Sequence, residues 1–121
     1  MNIDKEIDQL VDIIGEEVEQ LAAREPHGLY EPIRYILSQG GKRLRPLLAL
    51  LTYRAFCPEG AVEEVAPVMK AVETFHNFTL IHDDIMDDAP MRRGEPTVYK
   101  KWGANVGILS GDAMLVEAYR C

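Results

Sequence analysis

Apolar residues return at steps of three and four along most of this chain, and that period constrains the fold more than any other feature. Ile3, Ile7, Leu10, Ile14, Val18 and Leu21 form one stripe on a helix from about residue 3 to 24. Glu25-Pro26-His27-Gly28 stops it. A short helix from about 30 to 38 ends at Gly40-Gly41, two glycines that could supply a C-cap or let another group approach the backbone. A third helix covers about 43 to 56, with Pro46 tolerated in its first turn, and Cys57-Pro58-Glu59-Gly60 is a turn. The fourth helix runs from about 61 to 88, with Pro67 as a kink or as its true start. Ala89-Pro90 breaks it, residues 89 to 96 form a polar loop, and a last helix runs from about 104 to the end. Neither an alternating strand pattern nor a repeat is visible. The expected class is all-α, with residues 1–121 in one unit that has no internal boundary.

The charge pattern narrows what such a chain binds. A net charge of −7 argues against nucleic acid as a partner. The basic residues nevertheless cluster, as Lys42, Arg43 and Arg45 and again as Arg92 and Arg93, which suggests an anionic small molecule. Cys57 and Cys121 are too few for a disulfide framework or a zinc site, so a cytoplasmic location is expected. The N-terminal MNIDKEIDQL has no apolar signal core, and the longest apolar run, Pro46 to Leu51, is too short to span a membrane.

The segment LIHDDIMDDAPMRRG, residues 80–94, carries the chemistry. On a helix, His76, Thr79, Asp83 and Asp87 share one stripe, and Asp84 and Asp88 lie on the next. Carboxylates at a helix C-terminus oppose the dipole, by about 0.3–1 kcal/mol each when exposed. A solvated acidic helix end is one reading. A site for a hard divalent cation is the other, because Mg²⁺ takes one or two carboxylates together with substrate phosphates. The apolar residues Phe75, Phe78, Leu80 and Ile81, expected to be buried, favour the second. Arg92 and Arg93 supply planar forks for the remaining phosphate oxygens. Gly40-Gly41-Lys42-Arg43-Leu44-Arg45 is a second phosphate-like constellation at a helix start, with Lys42 and Arg45 three apart.

Gly-Gly-Lys-x-x-Arg at 40–45, Asp-Asp-x-x-Asp at 83–87, Arg-Arg-Gly at 92–94 and Leu-Ser-Gly-Asp at 109–112, in that order, resemble the trans-isoprenyl diphosphate synthases, which include the farnesyl and geranylgeranyl diphosphate synthases. The resemblance covers nearly the whole chain. It implies the N-terminal part of an antiparallel isoprenoid-synthase helix bundle. It also implies Mg²⁺-dependent condensation of isopentenyl diphosphate with an allylic diphosphate to a farnesyl or geranylgeranyl product. Carried over by position, Asp83 and Asp87 are Mg²⁺ ligands and Asp84 is outer-shell support or a further ligand. Arg92 contacts the allylic diphosphate, and Lys42, Arg45, His76 and Arg93 form the isopentenyl diphosphate site. Phe78 and Thr79, five and four residues before Asp83, set product length.

The family's second Asp-rich motif and its later lysines have no counterpart here. The chain therefore reads as the N-terminal half or less of such an enzyme, with an apolar last helix still in need of a partner. It is a truncated chain, part of a longer one, or one of two complementary chains, and the resemblance implies a homodimer. Two rival functions stand beside the enzyme. One is a non-catalytic small subunit that tunes a complete synthase. The other is a metal phosphohydrolase built on His82-Asp83, which would leave Arg92-Arg93-Gly94 unexplained.

Overall fold

The computed structural model describes residues 2–121. Its helices are α1 (Ile3–Ala22), α2 (His27–Ser38), α3 (Leu44–Phe56), α4 (Ala66–Met86), α5 (Val98–Trp102) and α6 (Ala104–Arg120), and a two-stranded hairpin, β1 (Met91–Arg92) and β2 (Glu95–Pro96), follows α4. The all-α expectation holds. One apolar cluster, with Leu10, Ile33, Leu50, Met69, Ile81 and Met114 at its centre, joins the long helices. None of the helices among the described residues is long and apolar enough to cross a membrane.

Local chemistry sets the boundaries and moves several of them from where periodicity placed them. Asn2 caps α1 by accepting from the Lys5 amide at 3.3 Å. The buried face of α1 is Glu6, Leu10, Ile14, Val18 and Leu21, whereas Ile3 and Ile7 are exposed. The apolar stripe therefore continues inward only as far as Leu10. One turn earlier the neighbour is Arg54 of α3, whose Nε donates to both Glu6 carboxylate oxygens at 3.1 and 3.2 Å, so an acid faces in and Ile7 faces out. The second helix starts at His27, three residues before the expected position, because Pro26 at its N-cap already holds a compatible extended backbone. Pro67 marks the true start of α4 and not a kink: a single 3₁₀ turn, Val62–Glu64, precedes it.

The expected helix to residue 88 ends at Met86 instead. The Ala89 amide donates to Asp84 O at 2.9 Å and the Asp88 amide to Ile85 O at 3.3 Å, with Asp88 in the left-handed region at φ 52°. This is a Schellman closure, with aspartate where glycine is usual. The expected polar loop is a hairpin: Met91 pairs with Pro96 and Arg92 with Glu95, around a two-residue turn in which Arg93 and Gly94 both have positive φ. Strands of two residues are too short to show alternation in sequence. Thr97 then caps α5, a helix that periodicity did not reveal, and its hydroxyl ties back to Ala89 O at 2.8 Å.

Helices α4 and α6 lie closest together, and small residues permit it. A side-chain carbon on Gly111 would collide with the His82 ring, and one on Gly107 would lie 2.9 Å from Ile85 Cδ1. Gly15 of α1, in contrast, faces open space. The two sites therefore predict opposite signs in denaturant unfolding of the protein. Gly111→Ala is expected to destabilise by about 1–3 kcal/mol through overpacking, and Gly15→Ala to stabilise by about 0.5–1 kcal/mol through helix propensity.

Candidate active site

The acidic end of α4 sorts its four aspartates into three environments. Asp84 is buried and takes a bidentate ion pair from β1: Arg92 Nε donates to Oδ2 and Nη2 to Oδ1, each at 2.8 Å. The bonds from Asp84 hold the Arg92 guanidinium above its ordinary pKa. Asp88, turned off the helix, accepts from the Tyr99 hydroxyl at 2.6 Å. Asp83 and Asp87 are exposed, and neither side chain has a hydrogen-bond or ion-pair partner among the described residues. Two of the predicted metal-ligating residues thus remain uncompensated at the negative end of a helix, one turn apart. The described residues contain no group of three or more His, Cys, Asp or Glu placed to hold a metal by themselves. Two carboxylates do suit Mg²⁺, which completes its octahedron with water and phosphate oxygens.

Farther back along α4, the Gly40–Arg45 loop and the hairpin converge. Lys42, Arg45, His76 and Arg93 all line one pocket of about 190 Å³, so the four residues predicted for one anion site do meet. Burial, followed by the charge of Arg45, lowers the pKa of His76. The neutral imidazole is therefore favoured in the folded chain. Arg92, grouped with Arg93 in sequence, points instead to Asp84. Gly40 and Gly41 have φ of 82° and 110°, and Gly41 also accommodates the Arg93 guanidinium, which would lie 3.4 Å from a side-chain carbon there. Gly41 thus serves close approach, while Gly40, with open space around it, follows the Gln39 C-cap in the left-handed conformation usual for a glycine that ends a helix. Two residues that sequence reasoning left out, Glu73 and Asn77, support the site together with Arg43, which the sequence had placed in the basic cluster without a separate role. Glu73, an acid one turn before Asn77 on the buried face of α4, was the available signal.

Arg45 and His76 also line a larger apolar groove of about 810 Å³ whose walls include Leu48, Phe75, Thr79 and Tyr119. Phe75, expected to be buried, is 43% exposed in this groove. Phe78 stands beside it, edge-on to the Phe75 ring at 5.3 Å and to the His82 ring at 4.9 Å. His82 Nε2 lies 3.1 Å from Ile108 O and 3.6 Å from Asp112 Oδ1, so it is engaged with α6. That engagement removes the geometric basis for a phosphohydrolase centred on His82 and Asp83.

A helical bundle that combines two unpaired carboxylates, a basic pocket and an adjoining apolar groove has the architecture of an isoprenoid synthase. The polyprenyl synthetase family model matches residues 26–121, and the chain belongs to that family. It is 44% identical over 108 residues to the geranylgeranyl pyrophosphate synthase of Geoglobus acetivorans, covering 88% of this chain and 33% of that protein. It is 42% identical over 119 residues to the short chain isoprenyl diphosphate synthase of Methanocaldococcus jannaschii, covering 98% of this chain and 35% of that protein. The crystal structure of a geranylgeranyl pyrophosphate synthase superposes with a TM-score of 0.89 at 48% identity, covering 99% of this chain and 35% of that one. The chain therefore spans about a third of the length of the relatives it matches.

The environments of the aspartates predict opposite stability effects. Asp84→Ala strands Arg92 and is expected to cost about 1.5–3 kcal/mol, the value of hydrogen bonds to a charged group. Asp83→Ala removes an unpaired charge from the helix C-terminus and is expected to add about 0.3–1 kcal/mol. Urea unfolding without divalent cations measures both.

Proposed function

We propose that this chain supplies the first acidic cluster and the basic pocket of a trans-prenyltransferase that joins isopentenyl diphosphate to an allylic diphosphate. The observation that carries this reading is the arrangement along α4, with Asp83 and Asp87 unpaired at its C-terminal end and Lys42, Arg45, His76 and Arg93 around one pocket about two turns earlier. The names of the relatives point the same way. Asp83 and Asp87 hold Mg²⁺, which when bound stabilises negative charge on the departing diphosphate. Arg92, fixed by Asp84, presents its remaining guanidinium edge to the same diphosphate. The pocket binds the second, metal-free diphosphate, and its neutral His76 donates or accepts one further hydrogen bond. The apolar groove beside it takes the hydrocarbon tail and excludes water from the reacting carbon.

The proposed catalytic unit is larger than this chain, which spans about a third of the length of its relatives. A homodimer or a complementary chain covers the exposed Leu109, Val116 and Tyr119. Both cysteines are free and exposed, which suits a cytoplasmic location. A regulatory small subunit is the second reading, and the intact motif residues speak against it. The test is a chimera. Joined to the C-terminal two thirds of the Geoglobus acetivorans relative, this chain is expected to support condensation of dimethylallyl and isopentenyl diphosphates with Mg²⁺, and alone to show little or none. A folded but inactive chimera would favour the regulatory reading.

Product length follows from the wall of the groove. Thr79 lies in that wall, and Phe78 braces Phe75, which also does. The proposed product has fifteen or twenty carbons. Phe78→Ala in the active chimera is expected to shift the products to longer chains, read by chromatography. An unchanged distribution from a folded variant would assign Phe78 to core packing alone.

A further inference from the structure

The two basic segments that meet at the small pocket are joined beneath it by a row of polar side chains running through α4. Arg43, in the left-handed region at φ 52°, reaches inward, with its Nη2 donating to Leu37 O at 2.6 Å and its Nη1 lying 3.3 Å from Glu73 Oε1. Glu73 accepts from Asn77. Asn77 in turn accepts from Arg93 Nη1, at 3.3 Å, and Arg93 Nη1 also lies 3.3 Å from Ile36 O. The row thus runs Arg43, Glu73, Asn77, Arg93, and its two central members are buried, Asn77 completely.

We propose that Asn77 is a positioning residue for anion binding, holding the Arg93 guanidinium at the pocket through an amide whose orientation Glu73 dictates. This inference rests on reading that pocket as a diphosphate site. The argument is one of donor and acceptor counting. The Asn77 amide nitrogen has two N–H groups, and both are used by the residue one turn earlier: one donates to Glu73 O at 2.9 Å, the other to Glu73 Oε1 at 2.8 Å. A carboxylate only accepts, so it fixes the amide with Oδ1 facing Arg93. The reverse orientation would set an N–H against a guanidinium. Asn77 is fully buried one helical turn above Glu73 and one turn below Ile81, on a face of α4 that also buries Met69 and the polar Thr74 and Asp84. Leucine would suit that setting better if packing were all that was required.

The experiment is a double-mutant cycle on the protein, with inorganic diphosphate and no divalent cation as the probe, read by calorimetry. Circular dichroism checks the fold of each variant. Asn77→Leu is close in size and changes no charge. It is expected to weaken diphosphate binding about tenfold, the lower end for a lost hydrogen bond to a charged group. Arg93→Ala is also expected to weaken it, and the double variant to bind no worse than Arg93→Ala alone. Additive losses, or Asn77→Leu binding like wild type, would overturn the proposal. Glu73→Gln gives a second, independent arm should Asn77→Leu not fold. Removing a negative charge beside an anion pocket tightens binding if charge is all that matters. If Glu73 dictates the amide orientation, binding weakens, because a glutamine side chain lets both amides turn over. Tighter binding by Glu73→Gln therefore counts against the proposal, and weaker binding supports it. Wild-type protein that binds no diphosphate would overturn the pocket reading itself, whereas wild-type binding with an unchanged cycle would overturn only the role of Asn77.

Discussion

A carboxylate buried in the middle of a helix has to be neutralised, and Glu73 imposes that requirement on everything around it. Charge taken out of water costs several kcal/mol unless partners surround it. Glu73 finds Arg43 on one side and the Asn77 amide on the other. Arg43 reaches inward from a left-handed backbone, and Gly40 and Gly41 just before Lys42 also have positive φ. Three left-handed backbones within four residues between α2 and α3 thus accompany one buried acid, and Lys42 and Arg45 are presented at the rim beside them.

A second buried carboxylate, Asp84, plays the same part at the end of α4. Its bidentate bond to Arg92 anchors β1, and the Schellman closure turns the chain so that β1 can return. Further ties hold the hairpin from outside: the Tyr35 hydroxyl donates to Pro96 O at 2.7 Å, and the Trp102 ring sits edge-on to Tyr35 at 5.0 Å with the Lys101 ammonium over both rings. Left-handed backbone at Arg43, Asp88 and Arg93, none of them glycine, costs about 1–2 kcal/mol at each. All three lie around the site, where such strain tends to collect. Asp83 and Asp87 stand out by contrast with Asp84 and Asp88: both face solvent, and neither has a side-chain partner among the described residues.

The apolar side of the site follows from how α4 meets α6. Gly107 and Gly111 let the helices approach until Ile85 and His82 rest on the α6 backbone. Ser110, fully buried, donates to Leu29 O at 2.8 Å and pins α6 to α2. An adjoining face of α4, with Phe75, His76 and Thr79, lines the open groove next to the basic pocket, together with Tyr119 at the end of α6. Charge and hydrocarbon surface therefore adjoin along a single helix, with His76 and Arg45 at the border.

Periodicity alone was enough to specify the helical class, because a stripe at steps of three and four can be buried only by a helix. The motifs at 40–45, 83–87 and 92–94, taken together in that order, were enough to point to the family, because their combination resembles its members. Where each charge points was decided by tertiary structure. Arg92 and Arg93 are neighbours in sequence yet reach different levels of α4, Arg92 at Asp84 and Arg93 about two turns earlier at Asn77, since a two-residue turn sends successive side chains apart. Asp83 and Asp84 are likewise adjacent, and a helix rotates one of them into an ion pair and the other into water. Ile7 and Glu6 exchanged their expected places because an arginine on α3, 48 residues away along the chain, needed an acid. Local pattern determines which faces exist, but what a face meets depends on long-range contacts, and no window of neighbouring residues contains them.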